Sequence, residues 1–336
     1  MLILAGITIS SLTETGIFQK ANEAKQKAEE AEANQTKTLN EYEEELNKYL
    51  GQKLADKVKV GDYVTYTPDA LDSNAVATLK TNLNTYSGKS DSTVNAAINR
   101  DDLKWRVLDV QNGQVRLISE VPTTSKIELK GYNGYNNAVK LIDDTCSTLY
   151  TNSKLASKVQ NLKIEDITKH MKIQPALDTS TYSPTSKYYT EILLKEKNQT
   201  VNGVAGTELE VSEQTEFMNQ TTKPQVSSWT LKKTYWSQVM NNTDSFVDSK
   251  YYELFINNGS NYDAYWLSNR CIFADSNYAS FAVRRVDSDR VGANDLCNSN
   301  DSEYSLVFTF RPCITLNSNV QVTSGEGSLS SPFKIK

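Results

Sequence analysis

Few residues of this chain have the type and spacing to do chemistry. Asp287-Ser288-Asp289-Arg290-Val291-Gly292 opens with the alternating oxygen donors and glycine of a calcium loop. The later positions break that pattern: Val291 offers no side-chain ligand, and Asn298 stands where a bidentate Glu should close the shell. The match is read as accidental. The single histidine, His170, falls on a short polar helix with nothing beside it to complete a metal or catalytic set, and is expected to be a solvated surface residue. Four cysteines (Cys146, Cys271, Cys297 and Cys313) contain no Cys-x-x-Cys and are too few to scaffold 336 residues. Bridges among them are open if the chain is exported, and Cys146 is expected to fill core. Phosphate-binding glycine loops, His-Glu-x-x-His and a nucleophile elbow are all missing. No catalysis, metal or cofactor is expected.

Composition points instead to contact. Between residues 258 and 304 the chain is crowded with Asn, Ser, Asp and Tyr, the side chains of an adaptable recognition surface. The same residues also make plain turns. A net charge of −5 and a pI near 5.2 exclude the basic surface that nucleic acid demands. The hydrophobic share is only 38%, but eighteen Tyr, nine Phe and four Trp can furnish a core.

The elements that must position such a surface are of mixed type. Residues 17–50 read as a long helix, with Ala21, Ala24, Ala28 and Ala31 and then, after a phase shift, Leu39, Tyr42, Leu46 and Tyr49 at helical spacing. Gly51 is placed to stop it, and residues 13–16 are a candidate kink. Residues 58–66 alternate like a strand, and a Ser/Thr/Asn-rich insertion follows. Asn112-Gly113 between two alternating runs predicts a tight hairpin. Helices are expected over 136–150 and 164–171, long loops with a short hairpin over 175–224, and aromatic-rich helices over 229–236 and 251–255. Alternating apolar residues then predict strands through Phe281 and Val283 and through Leu306 and Phe308, closing an α+β fold.

Three stretches carry a resemblance. Tyr265-Trp266-Leu267-x-x-Arg270, Ala279-x-Phe281-x-Val283-Arg284-x-Val286 and Arg311-Pro312-x-Ile314-x-Leu316 resemble the C-terminal part of C-type-lectin-like variable proteins, whose adenine-containing codons are rewritten by diversity-generating retroelements. The resemblance implies a framework at Trp266, Leu267, Ala279, Phe281, Val283, Arg284, Val286, Leu296, Arg311 and Pro312. It implies exposed, exchangeable ligand-binding positions at Cys271, Phe273, Asp275, Asn277, Tyr278, Ser280, Arg285, Asp287, Asp289, Arg290, Asn294, Asp295, Cys297, Asn298 and Asn300. Ser268-Asn269 and Phe310 depart from the commonest choices of that family. Formylglycine-generating enzymes share the resemblance, and Cys271 with Cys297 could imitate their copper-binding pair. Both cysteines nonetheless sit at exchangeable positions, so an oxidase is the weakest reading.

A second resemblance lies at the start. Leu2-Ile3-Leu4-Ala5-Gly6-Ile7-Thr8-Ile9, with Gly16-Ile17-Phe18 and Ala21 beyond, resembles the second half of a type IV pilin-like N-terminal helix. The apolar run is shorter than the ~20 residues that span a bilayer. In that family a basic leader and a Glu-bearing apolar segment come first, so the natural chain is expected to begin upstream, with membrane contact through that missing segment alone. The two resemblances together imply a pilin-like helix over 1–51 and a C-type-lectin-like head over 52–336, with its variable region at about 258–316. The implied role is extracellular, at the cell surface, binding a protein or glycan, with other pilin subunits as partners through the helix. A purely structural pilin without a specific ligand is the alternative.

Overall fold

The computed structural model describes residues 3–172, 191–193, 200–201, 204–205, 213–218, 223–224, 232–234, 238–239, 245–256, 264–274, 279–287, 290–298 and 300–336. The chain divides into two compact units, Met1–Gln52 and Lys53–Lys336. In the first, α1 (Ile3–Leu50) is one α-helix, unbroken through residues 13–16 where a kink was expected. Ala, Glu, Lys and Gln sustain it, and Gly51, at φ 79°, takes the left-handed conformation that ends it. The described side chains from Gln19 to Tyr42 are exposed, Leu39 and Tyr42 included.

The second unit is α+β, with two main sheets. Its early elements are β1 (Gln52–Lys53), β2 (Tyr63–Thr65), α2 (Ser73–Tyr86), α3 (Thr93–Ala96), β3 (Trp105–Gln111) and β4 (Gln114–Ser119). Then come β5 (Lys126–Lys130), α4 (Gly131–Tyr150), β6 (Ala156–Asn161) and α5 (Ile164–Thr168). The middle holds short strands: β7 (Glu191–Leu193), β8 (Thr200–Val201), β9 (Val204–Ala205), β10 (Lys232–Thr234) and β11 (Gln238–Val239). After α6 (Ser249–Ile256) run β12 (Tyr265–Ala274), β13 (Ala279–Val286), β14 (Arg290–Asn298), β15 (Ser305–Thr309), β16 (Pro312–Leu316), β17 (Gln321–Ser324) and β18 (Phe333–Ile335).

The first sheet has the order β1-β17-β18-β2-β3-β4-β16-β6. Its centre is the expected hairpin of β3 and β4, whose turn residues Asn112 and Gly113 both have positive φ, at 51° and 75°. The last strand, β18, lies parallel to β2 with Phe333 opposite Val64, so the end of the chain closes on its beginning. The second sheet has the order β10-β7-β12-β13-β14-β11, with β15 joining β12 to β5.

Several expectations are corrected. The strand expected over 58–66 is only three residues long, because residues 59–62 form a turn in which Asp62 accepts from the Lys59 backbone N–H at 2.7 Å. The polar insertion contains α2, capped by Asp72 and held by buried Leu79 and Leu83. Helix α4 starts at Gly131, earlier than 136, and α5 ends at Thr168, short of 171. Around 229–236 the described residues form strand β10, paired with β7, not a helix. The short hairpin expected within 175–224 is β8 against β9.

One hydrophobic cluster gathers Trp105, Tyr150, Trp266, Phe281 and Phe310 beneath α2 and α4, and a second joins Leu108, Phe246, Phe255, Tyr265 and Leu267 on the other side. Gly134 lets α4 come close to the end of α2: a Cβ there would stand 2.7 Å from the Ser87 carbonyl oxygen.

Candidate ligand-binding face

The strands β12, β13 and β14 are antiparallel neighbours, with Arg270 opposite Val283 and Val283 opposite Asn294. These strands are buried on both faces: Trp266, Phe281, Val283 and Leu296 join one cluster, Leu267 and Val286 the other, and these six with Arg284 and Arg311 are each no more than 1% exposed. The Trp266 indole donates to the Ile127 carbonyl at 3.0 Å, tying β12 to β5. Arg311 sits beneath the sheet with its guanidinium wholly consumed by backbone. It donates to Ser119 O at 3.1 and 2.9 Å, to Glu120 O at 2.8 Å and to Phe255 O at 3.3 Å, and it stacks over the Tyr265 ring. A buried charge is tolerable only when its donors are met in this way.

The fifteen positions expected on an exposed face divide. Arg290 and Asn300 are exposed, and Arg285, Asp287, Asn294 and Asp295 are half-buried. Four are corrected: Cys271, Ser280, Cys297 and Asn298 are buried, at 1%, 1%, 0% and 4%. Strand β13 is an interior strand, so Ser280 is covered between neighbours and gives its hydroxyl to Asp295 at 2.8 Å. Asn298 turns inward because its side-chain oxygen accepts from the backbone N–H of Asn300 and Ser302, shaping the turn after β14. That oxygen is spent on the turn, which is a physical reason against the calcium-loop reading. Phe273 belongs to β12, but its side chain is outside the description, as are Asp275, Asn277, Tyr278 and Asp289 altogether.

Among the described positions, four come together. Arg285 on β13 donates to the Asn294 side chain on β14 and forms an ion pair with Asp287. Its guanidinium also lies 5.4 Å from the centre of the Phe308 ring. Burial, and then the neighbouring charge of Arg290, pull the Arg285 pKa down. Burial likewise raises the Asp295 carboxyl, against the opposing hydrogen bond from Ser280. The group is a compact mixture of cation, anion and amide, suited to recognition by hydrogen bonds and charge.

A second polar group, absent from the expectations, lies by the turn after β14. Tyr132 donates to Asp301 at 2.9 Å, Lys223 pairs with Asp301, and the Lys223 ammonium stands 5.2 Å from the centre of the Tyr132 ring. The hydrogen bond from Lys223, then that from Tyr132, holds the Asp301 carboxyl below its ordinary range. Nothing in the sequence joins residues so far apart.

All four cysteines are free thiols and all are buried. Cys271 is opposite Ala282 and Cys297 opposite Phe281, on the two strands that flank β13. Two strand spacings are about 9.5 Å, beyond the ~7 Å that a disulfide tolerates between Cα atoms. That separation does not fit a disulfide between them. Burial pushes the Cys297 thiol far up and the Cys313 thiol to about 12. Among the described residues no three His, Cys, Asp or Glu side chains are grouped to hold a metal. His170 is also corrected: it lies beyond α5, stacked on Tyr251 at 3.6 Å between ring centres, with its side chain only 15% exposed.

Comparison with family models, with curated proteins and with solved structures gave no match to this chain. Among the described residues no helix is long and apolar enough to cross a membrane.

Proposed function

We propose that this chain is a surface-displayed recognition protein, in which a pilin-like helix carries a C-type-lectin-like head that binds a protein or glycan through the hairpin end of β13 and β14. The observation that carries this reading is the convergence of Arg285, Asp287, Arg290 and Asn294 at the hairpin end of two adjacent strands whose remaining length is buried on both faces. A rigid frame beneath a polar, partly open patch is how binding scaffolds separate stability from specificity. Closure of the last strand on β2, with α2 and α4 packed on one core, is in keeping with a lectin-like head. No catalytic step is assigned, and the partner is an extracellular protein or glycan.

The test is a panel of glycans and surface proteins probed with the full chain. A specific binder is expected, and Arg290→Ala together with Asn294→Ala should abolish it while the thermal transition stays in place. Binding that survives the double variant would remove this face from consideration.

One observation favours a second reading, a structural filament subunit. Helix α1 exposes its described side chains over more than twenty residues, Leu39 at 58% and Tyr42 at 67% among them. Exposed apolar residues on an otherwise charged helix invite packing by another subunit. Filaments that form equally well with Arg290→Ala and Asn294→Ala, in a chain without any ligand, would favour this reading over recognition.

A further inference from the structure

The second unit contains a cleft of about 750 Å³ on another part of its surface, between the turn before β2, strand β3, the turn after α5 and the start of α6. Its apolar wall is formed by Val58, Val60 and Val110, and its polar lining includes Lys59, Lys169 and Lys250. Val110 is 42% exposed, and Val247, next to the lining residue Asp248, is 61% exposed. Apolar surface left open beside converging polar groups is the usual character of a small-molecule site.

The charges in the cleft are unequally occupied. Asp109 is already saturated: Arg116 donates to both its oxygens at 2.8 Å, Lys169 at 2.7 Å and Gln111 at 3.1 Å. His170 waits 3.6 Å from the same carboxylate, stacked on Tyr251. Asp248 is occupied as well, accepting from the Lys250 backbone N–H at 2.8 Å at the start of α6. Asp109 is thus spent on the protein itself. On the cationic side, Lys59 has no ion-pair partner among the described residues, and Lys250 has only a long, exposed contact of 3.4 Å with Glu253. Such an exposed contact contributes little and is readily exchanged for another anion.

We infer that this cleft binds a small carboxylate with an apolar body, its charge taken by Lys59 and Lys250 and its body by the valine wall. The cleft shares no residue with the β13–β14 patch, so this inference goes beyond the recognition reading.

The experiment uses the full chain and three small probes: benzoate, acetate, which lacks the ring, and benzamide, which lacks the charge. Binding is followed by calorimetry and by amide chemical shifts. Benzoate should bind saturably, with each of the other two weaker by about tenfold or more, since removing either the buried ring or the charge deletes one half of the interaction. Shifts should concentrate on residues 58–61, 109–111 and 248–251. The double variant Lys59→Gln, Lys250→Gln changes two lysines in exposed surroundings and should lose most of the benzoate affinity with its thermal transition unmoved, whereas Arg290→Ala should leave benzoate binding unchanged. Absence of saturable binding, equal binding of benzamide, or full affinity in the double variant would each overturn the inference.

Discussion

The buried length of β12, β13 and β14 and the hairpin end of β13 and β14 are built on opposite principles. In the buried interior, Arg311 meets three backbone carbonyls, Trp266 meets Ile127, and the hydrocarbon around them is closed to water. At the hairpin end, Arg285 pairs with Asp287 and Asn294, with the charge of Arg290 beside them, in a patch with partial solvent access. The inner arrangement admits one residue at each position, because each is fixed by several partners. The outer arrangement is held by side chains alone, and water can replace any of them. Stability should therefore be sensitive to one side and binding to the other.

The largest effect is expected at Arg311. Arg311→Met preserves much of the apolar stem but leaves the carbonyls of Ser119, Glu120 and Phe255 without this donor. With about 1–3 kcal/mol for each buried polar group left unmet, the loss should be roughly 4 kcal/mol or more. Urea denaturation of the full chain measures it. A change under about 1 kcal/mol would mean that water reaches those carbonyls and that the inner side is less closed than the geometry requires.

Next comes Asp109, which joins β3 to β4 and to the turn after α5 through Arg116 and Lys169. Burial pushes its carboxyl up, but the hydrogen bonds from Arg116 and Lys169 outweigh that and hold it well below the usual carboxylate range. A carboxyl whose folded pKa is depressed contributes stability that is present above its unfolded value, near 3.9, and is lost as pH falls toward the folded value. Stability should accordingly drop below about pH 4. Asp109→Asn should cost about 3 kcal/mol at neutral pH, since it strands buried cations, and should flatten that acid limb. An unchanged acid limb in the variant would assign the acid sensitivity to other carboxylates.

What the sequence made legible follows the same division. The β3–β4 hairpin could be read because Asn112-Gly113 encodes its own turn, and α1 because helix-forming residues run unbroken up to Gly51. Helix α2 could not, since its Ser, Thr and Asn content reads as loop and only Leu79 and Leu83 face the core. The strand expected over 58–66 was shortened by a turn that depends on Asp62 reaching back to Lys59, a contact invisible to alternation. At the candidate face, residue type identified the polar positions but not their exposure. Ser280 and Asn298 are polar and buried because each has a local partner, in Asp295 and in the turn after β14. His170 was misplaced because its partner Tyr251 is distant in sequence and only the fold stacks them.

The four thiols sharpen the inner side further. All are buried, and burial shifts Cys146, Cys297 and Cys313 upward, the last to about 12, so the four should resist a charged disulfide reagent in the native chain and react in full after unfolding. Cys297→Ser should cost about 1–2 kcal/mol, because it places a hydroxyl in an apolar, closed site. Rapid native labelling of Cys271 or Cys297 would show that β12 or β14 opens readily, and would move those two positions back toward the surface role expected of them.

The smallest stability effect belongs to the outer patch, and there smallness is the informative result. Arg290→Ala should lie within about 0.5 kcal/mol of neutral, as exposed substitutions do. Asn294→Ala removes one hydrogen bond from Arg285, whose pairing with Asp287 and stacking on Phe308 remain, and should cost no more than about 1 kcal/mol. A double-mutant cycle between the two measures whether Arg290 and Asn294 act independently. Independence means that either can be exchanged without repairing the other, which a diversified face requires. Coupling above about 1 kcal/mol would instead make the patch one more over-determined structural cluster, and the contrast between the buried interior and the hairpin end would collapse.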